Sequence, residues 1–540
     1  MSAEPGPARV AGPAAAEPTA PAAAPGPAAL PSADPADGWR RIDPKALLVT
    51  AAVWGSVAAG VCLPVLLGLS GGAWFAHASR RGAGLLPLFG AAALVVLAAV
   101  GAEYVKWRKT RYRVGPERVE LHTGLVLVKR RSLARERIRT VDLTAHPLLR
   151  VLGLVTVRIG TGEQAGSGES TLELNPVSRA EGERLRRDLL DRPPAAGPRV
   201  DHDGNLAGLD PRWMRYAPLS FVAPLLGGAA AGAVMQVSDW FGAQGTVIDW
   251  VGDRFRDTSV AVLVLTLVLA ALVAGVVGAL GLWVEMWWNY RLEREPGGTL
   301  RVRRGLLTVR SISVEERRLR GVELVEPLGV RLAGAARVDA VATGIGQDDE
   351  DKHVDLQVLL PPAPRALAGE VAARVLRESV TPTDAPLTRH PGAARTRRLR
   401  WALAAVLGPL AVLTLLGLRL TPVLLYIAAA AASVAVPAAV LLALDAYRSL
   451  GHTLSGDYLV ARSGTARRST VALRRSGVIG WVVRQSFFQR RAGVLTVTAT
   501  TAAGSGAYSV YDAEAAEGIA FAAAAVPGLL TPFLEPPPER

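Results

Sequence analysis

Seven histidines are spread along the 540-residue chain, at His77, His122, His146, His202, His353, His390 and His452. A local zinc site places pairs of His or Cys ligands a few residues apart. None of these histidines pairs at such spacing, so a metal centre would need long-range assembly and is not expected. The single cysteine, Cys62, lies in an apolar run and rules out an intrachain disulfide framework. Gly160-Thr161-Gly162 and the following Gly166 have the glycine content of a phosphate-cradling loop. Such a loop must open into a helix. None opens here, and a hairpin turn accounts for the glycines. No Ser/His/Asp or Cys/His set stands in a recognisable context. The chain reads as non-enzymatic, with no catalytic residues and no cofactor.

The residues with an interpretable spacing are glycines, arginines and acids. Gly124 is followed 26 residues later by Arg150 and 29 later by Gly153. Gly305 stands in the same relation to Arg331 and Gly334, and Gly464 to Arg490 and Gly493. Apolar residues fall at common offsets in each copy: Ile138, Leu319 and Val478, then Val157, Val338 and Val497. Three copies at fixed spacing mark an internal repeat. An arginine recurring beside glycine suits a structural turn whose guanidinium satisfies carbonyls; a ligand-binding role for Arg150, Arg331 and Arg490 is the alternative.

A basic run is the better candidate for lipid or partner binding. Lys129, Arg131, Arg135, Arg137 and Arg139 have odd spacing, so parts of the set share a strand face. Arg310, Arg318 and Arg320 repeat it in the second copy, whereas the third has Ser469, Gly477 and Ile479. Basic residues beside a membrane gain roughly 1 kcal/mol each near an anionic leaflet. A merely solvated face is the alternative. Three acids, Glu103, Glu285 and Asp445, each have an aromatic close behind: Tyr104, Trp287 and Trp288, and Tyr447. Membrane carboxylates are functional candidates, but a negative charge opposes the macrodipole at a helix C-terminus. The simpler reading continues each helix by a turn and pairs the acid with Lys106, Arg108 or their counterparts.

Those acids sit at the ends of apolar stretches. Half of the residues are hydrophobic, yet 61 Lys and Arg against 47 Asp and Glu leave a formal charge of +14. That combination points to a bilayer, with aqueous parts beside something anionic. About 20 apolar residues cross the hydrocarbon core, and six stretches qualify: 46–69, 84–104, 216–236, 260–283, 401–418 and 421–444. Basic residues flank the cytoplasmic ends of spans. Arg40, Arg41 and Lys45 precede the first stretch, Lys106 to Arg113 follow the second, and Arg395 to Arg400 precede the fifth. The loop between the third and fourth carries Asp239, Asp249, Asp253 and Asp257. Arg80 and Arg81 oppose the assignment but are outnumbered. Both termini and the three large polar segments are therefore expected in the cytoplasm of a multi-pass protein of the bacterial inner membrane.

Within the first polar segment the period is two, which indicates strands. They fall at 118–122, 125–129, 138–143, 154–159 and 171–174. Asn175-Pro176 then offers a helix start running to about Leu190, and the other copies end on helices at 364–378 and 512–525. The expected plan is a disordered Ala/Pro-rich tail at 1–38, then hairpin 39–104 with domain 105–192. After a linker at 193–211 come hairpin 212–285 and domain 286–380. After a second linker at 381–398 come hairpin 399–446, domain 447–528 and a tail at 529–540.

Tyr112-Arg113-Val114, Gly124-Leu125, the step from Leu133 to Ile138, and Pro147-Leu-Leu-Arg-Val-Leu-Gly-Leu154 resemble the bacterial pleckstrin-homology (PH) domain. The version is the membrane-associated second type, and triplication behind helical hairpins resembles the YdbT-like proteins. Tyr112 becomes His452 in the third copy, and the second departs at 294–299. The resemblance implies an α+β membrane protein, each unit a bent seven-stranded sheet capped by a C-terminal helix, with no enzyme activity. The expected function is a scaffold in envelope homeostasis that binds membrane lipids or other membrane and cytoplasmic proteins, among them a shorter single-copy relative of the PH-domain kind. Nucleic acid is not an expected partner. A component of a transport or export complex is the alternative, which the scarcity of polar residues inside the spans disfavours.

Single cysteines at Ser167 and Thr246, in a Cys62→Ser background, test the orientation. Ser167 should react with an impermeant thiol reagent only after the membrane is opened, and Thr246 in intact cells. Labelling of both from outside would overturn the cytoplasmic assignment.

Overall fold

The computed structural model describes residues 38–66, 85–124, 129–138, 140–160, 171–190, 204–240, 243–295, 297–343 and 357–533. Both expected tails, except for Gly38 and residues 529–533, the turn at 161–168, the linker at 193–203 and Arg139 lie outside them. The chain is a mixed α/β structure in which helical pairs alternate with strands.

The first unit comprises β1 (Arg40–Arg41), α1 (Ala46–Leu66), α2 (Leu85–Lys109), β2 (Arg111–Val114), β3 (Arg118–Thr123), β4 (Lys129–Ala134) and β5 (Thr140–Ala145). It continues with α3 (Pro147–Val151), β6 (Leu154–Gly160), β7 (Thr171–Ser178) and α4 (Arg179–Leu190). The second opens with β8 (Asn205–Gly208), α5 (Val222–Trp240), α6 (Gln244–Arg254), α7 (Val260–Trp287), β9 (Arg291–Glu295), β10 (Thr299–Arg304) and β11 (Val309–Glu315). It closes with β12 (Leu319–Pro327), α8 (Leu328–Leu332), β13 (Ala335–Ala342), β14 (Val358–Pro364) and α9 (Arg365–Leu376). The third opens with α10 (Gly392–Arg419), α11 (Pro422–Arg448), β15 (Gly451–Ser455), β16 (Tyr458–Ser463) and β17 (Arg467–Arg474). It closes with β18 (Gly480–Arg484), α12 (Phe487–Arg491), β19 (Val494–Thr500), β20 (Ala507–Glu514) and α13 (Ala515–Ala525).

Four helices among the described residues are long and apolar enough to cross a membrane: Phe89–Lys109, Val260–Trp287, Gly392–Arg419 and Pro422–Arg448. A fifth arises if Pro211–Leu219 and Val222–Asp239, bent by 69°, form one broken span. The bend corrects the third stretch. Residues 216–221 do not begin a membrane helix, because Trp213, Tyr216 and Ala217 are buried in the core of the second unit. The ring of Trp213 lies 6.5 Å from that of Tyr290. The α5–α7 pair then packs through glycines. A Cβ on Gly227 would lie 2.1 Å from the Ala271 oxygen, and one on Gly275 2.0 Å from that of Ala223. Small residues let helices approach this closely.

Strand boundaries differ from the periodicity at two kinds of place. Asn175-Pro176 does not start a helix: β7 pairs with β6 as far as Leu154↔Ser178, and α4 begins only at Arg179. Similarly β20 runs through Asp512 to Glu514, so the last helix begins at Ala515. Ladder hydrogen bonds to a neighbouring strand hold these segments extended, which a local capping signal does not report.

The sheets do not respect the expected domain boundaries. One four-stranded sheet runs β1-β2-β3-β4. A seven-stranded sheet runs β7-β6-β5-β11-β10-β9-β8, a six-stranded sheet β14-β13-β12-β17-β16-β15, and β18-β19-β20 stand last. The second half of each unit thus continues into the first half of the next, through β5·β11 and β12·β17. Both joints keep one register: Thr144 faces Arg310 as Val325 faces Ser469, counted from the repeat residues Ile138 and Leu319. The repeat positions themselves are core, since Ile138, Leu319, Val478, Val157, Val338 and Val497 are all buried.

At the second joint β12 approaches β17 so closely that a Cβ on Gly321 would lie 1.9 Å from the Ala472 oxygen. Gly321→Ala should therefore separate the two strands and lower stability by about 1–3 kcal/mol, read by thermal unfolding in detergent. An unchanged melting temperature would show that this joint does not hold the units together.

Candidate functional site

The repeated glycines and arginines converge on the joints. All six glycines take positive φ: Gly124, Gly305 and Gly464 at 151°, 113° and 100°, and Gly153, Gly334 and Gly493 at 71°, 71° and 67°. L-residues with a Cβ rarely adopt such angles. The first glycine of each set opens a β-hairpin turn, and the second ends the short helix α3, α8 or α12.

In the second and third units the turn meets the end of the long helix that precedes it. The Glu285 carboxylate accepts the backbone N–H groups of Leu307 and Thr308 at 2.8 and 2.9 Å, and its own carbonyl accepts that of Leu306 at 2.9 Å. Those donors and the last helical carbonyls would otherwise be left without partners. In the third unit Asp445 accepts the Thr465 hydroxyl at 2.8 Å. Glu103 pairs with Lys106 at 3.2 Å, and the turn it would face, 125–128, lies outside the described residues. The helices do continue past the acids, to Lys109, Trp287 and Arg448. Two of the three acids hold a turn and not a neighbouring base.

The arginine of the preceding unit reaches the same meeting of turn and helix. Arg150 donates to the carbonyl oxygen of Leu306, directly after Gly305. Arg331 donates to Asp445 at 2.7 Å, and the Leu328 N–H reaches the Ala466 oxygen at 2.8 Å. Arg490 has the same place in the third unit. It is exposed and has no hydrogen-bond or ionic partner among the described residues.

Ion pairs seal both joints. Arg186 and Arg301 alternate with Glu183 and Glu295 in a closed set, at 2.7 to 3.2 Å. Glu326, almost wholly buried, takes both Arg468 nitrogens at 2.8 Å. An acid also stands at the same repeat position of each joint strand, Asp142 and Glu323. Burial pushes the Asp142 carboxyl from its ordinary 3.8 up to about 7, against the pull of Arg158 and of the Ser313 N–H across the joint. Burial raises Glu323 as well. The third unit has Val482 there.

The basic run is not one surface. Lys129 and Arg131 are exposed on β4, together with Arg130. Arg135 turns back to the Asp188 carbonyl. The side chain of Arg137, and all of Arg139, lie outside the described residues. In the second unit Arg318 does not face solvent: it is buried, donating to the Ile138 oxygen at 3.0 Å and pairing with Glu315 at 2.8 Å. Arg310 is half-buried opposite Thr144, and Arg320 lies against Gly477. The joint, absent from the first unit's outer edge, takes up the counterparts.

One pair escaped the spacing argument. His390 and His452, 62 residues apart, meet with Nε2···Nδ1 at 3.1 Å, and His390 Nδ1 donates to the Asp512 carbonyl at 3.2 Å. His452 replaces Tyr112 and Tyr290, and all three are buried. Burial holds both imidazoles down near 4. No group of three or more His, Cys, Asp or Glu converges on a metal position among the described residues. Asp512, at the centre of this knot, also takes Arg397 at 2.5 Å and Arg398 at 3.7 Å, so two of the flanking arginines are structural.

Residues 46–193 and 404–525 match the family model described as "Bacterial PH domain". The chain belongs to the bacterial PH domain family. The two matched stretches cover the outer units of the array. A similar protein is the UPF0699 transmembrane protein YdbT of Bacillus subtilis (strain 168), 22% identical over 431 residues, spanning 76% of this chain and 83% of that one. No solved structure matches. The first and third Gly-Arg-Gly sets lie inside the matched stretches, and the second lies between them.

The Asp142 carboxyl gives the joint a pH signature. Its proton is held more tightly in the folded than in the unfolded chain, so its contribution is full below about pH 4. It is lost as pH rises through about 7, and is on the order of 4 kcal/mol at most. Thermal unfolding of the wild type should therefore weaken relative to Asp142→Asn between pH 5 and 8. Parallel curves for the two would refute a protonated carboxyl in the joint.

Proposed function

We propose that the chain is a non-enzymatic scaffold of the bacterial inner membrane, built as three transmembrane hairpins (six spans) with both termini and all three PH-like units in the cytoplasm. The observation that carries this reading is the pairing of strands between units. Units joined by β5·β11 and β12·β17 hold fixed positions along one array, as a platform requires and a string of independent binding modules does not. The α5–α7 approach at Gly227 and Gly275 similarly leaves no room for a path between those two helices. That favours a scaffold over a transport component.

The platform recognises protein segments at its sheet edges, where an added strand satisfies backbone groups. The exposed bases of β4 hold its first unit against anionic headgroups. Lys129, Arg130 and Arg131 stand on the outermost strand of the four-stranded sheet, and α2 leads into that sheet directly from the bilayer.

Hydrogen exchange on the full chain in nanodiscs tests the headgroup contact. Residues 129–134 should exchange more slowly in anionic than in neutral lipid at 0.1 M salt. The difference should vanish at 1 M, where the Debye length falls from about 10 Å to about 3 Å, and in the K129S/R130S/R131S variant. Equal exchange in both lipids would overturn it.

A further inference from the structure

We propose that the open end of the third unit docks a separate membrane-anchored polypeptide, by pairing β18 with the first half-sheet of that protein's own PH-like unit; the proposal rests on the scaffold reading above. The joint occurs twice within the chain, and each time it has the same three parts. A second-half strand offers its edge, a short helix follows it, and an arginine on that helix reaches the place where the next unit's hairpin turn meets its long helix, at the Leu306 carbonyl or the Asp445 carboxylate. The third unit carries all three parts with none of the described residues paired against them. Among the described residues β18 pairs only with β19. Arg490 meets no hydrogen-bond or ionic partner among the described residues, whereas Arg150 holds the Leu306 carbonyl of a turn and Arg331 holds the Asp445 carboxylate, which itself accepts from the turn residue Thr465.

Side-chain burial tells the same story at matched positions. Leu143 and Leu324 are 6% and 1% exposed inside the joints, but their counterpart Val483 is 46% exposed. Ile479, Phe487 and Phe488 are exposed around it, at 65%, 71% and 59%. An uncovered apolar edge strand is a template for pairing with another chain, and apolar surface gathered in one place marks an interaction site.

Charge decides which chain. The other open edge, β4, is the matching half of the joint, so a second copy offers itself first. At the common register, however, a second copy would set Lys129, Arg130 and Arg131 against Arg484, Val483 and Val482, with no acid among them. The internal joints bring acids to their arginines: Glu326 to Arg468, and Asp445 to Arg331. Bases on an edge are a device against strand addition, and β4 carries three while β18 carries one, at its last residue. The occupant therefore presents uncharged or acidic residues where β4 presents bases, and a turn carbonyl or helix-end carboxylate for Arg490. Because each turn in the joint rests on the end of a membrane helix, the occupant is anchored in the same bilayer.

A photoreactive amino acid placed singly at Arg484 or Phe487 of the full chain, in its native membranes, tests this. The same probe at Thr144, the matched position of the first joint, serves as a control and should join the strand 309–311 of its own chain. From position 484 we expect an adduct with a different polypeptide, its linked residue lying in a strand shortly after a transmembrane hairpin. Arg490→Glu should reduce that adduct at least fivefold and leave the Thr144 adduct intact. An adduct to residues 129–133 of a second copy, to lipid alone, or to a protein without such a hairpin overturns the proposal, as does one indifferent to Arg490→Glu. Of these, only the absence of any protein adduct from either position would also count against edge recognition in the scaffold reading.

Discussion

A β-sheet edge is a row of unpaired N–H and C=O groups, and the whole molecule is arranged around where those rows go. Each PH-like unit has two half-sheets that do not close on each other, so each has an edge to dispose of. The chain solves this by giving every interior edge to the neighbouring unit. Burial follows from that choice. Ser313, Thr470 and Ala472 are almost inaccessible because another unit lies against them, whereas Arg130 and Ser132 at the corresponding positions of β4 are exposed. An identical fold thus carries very different residues according to whether a neighbour follows.

The same constraint ties the aqueous array to the helices. In the second unit the turn after β10 has four consecutive backbone N–H groups. Gly305 donates to the Trp288 carbonyl at 2.9 Å, Leu306 to that of Glu285, and the next two to its carboxylate. A helix end and a hairpin turn, each with groups it cannot satisfy alone, finish one another. Arg150 adds the preceding unit to the same few atoms. Shifting the helix along its axis would break contacts in two units at once, so the depth of the hairpin and the position of the sheet are one variable. This is also why an acid tolerates the unfavourable end of the helix dipole: its partners are main-chain donors aimed at it.

What was legible in the sequence is whatever the backbone itself dictates. The glycine spacings were readable because a positive φ admits few other residues, and the strands because alternation reports which face is buried. Neither signal names a neighbour. Alternation along β5 or β12 reads the same whether the adjacent strand belongs to its own unit or the next, so the fused sheets were invisible, and with them the burial of Arg318. The start of the third stretch was misplaced for a related reason: Trp213, Tyr216 and Ala217 are apolar enough to belong in a bilayer, and only their packing with Tyr290 and Trp287 shows that they belong to the core of the second unit. The meeting of His390 and His452 depends on an isolated bridge between Thr388 and His452, which no spacing rule anticipates.

The acids of the joint strands are charges that strand pairing must bury. β5 is synthesised before its partner β11, with more than 160 residues, among them the helices α5 and α7, between them. During that interval Asp142 faces water, and a carboxylate there is ionised near neutrality. A charge that pairing must bury opposes the addition of any strand that brings no compensating group. The correct partner brings one, the N–H of Ser313, and the carboxyl that is then enclosed gains a proton more readily. Glu323 plays the same part for β12, accepting the Ser469 hydroxyl at 2.6 Å once β17 arrives. The waiting edges thus carry an acid that the matching strand alone satisfies. Val482, at the matching position of β18, carries no charge.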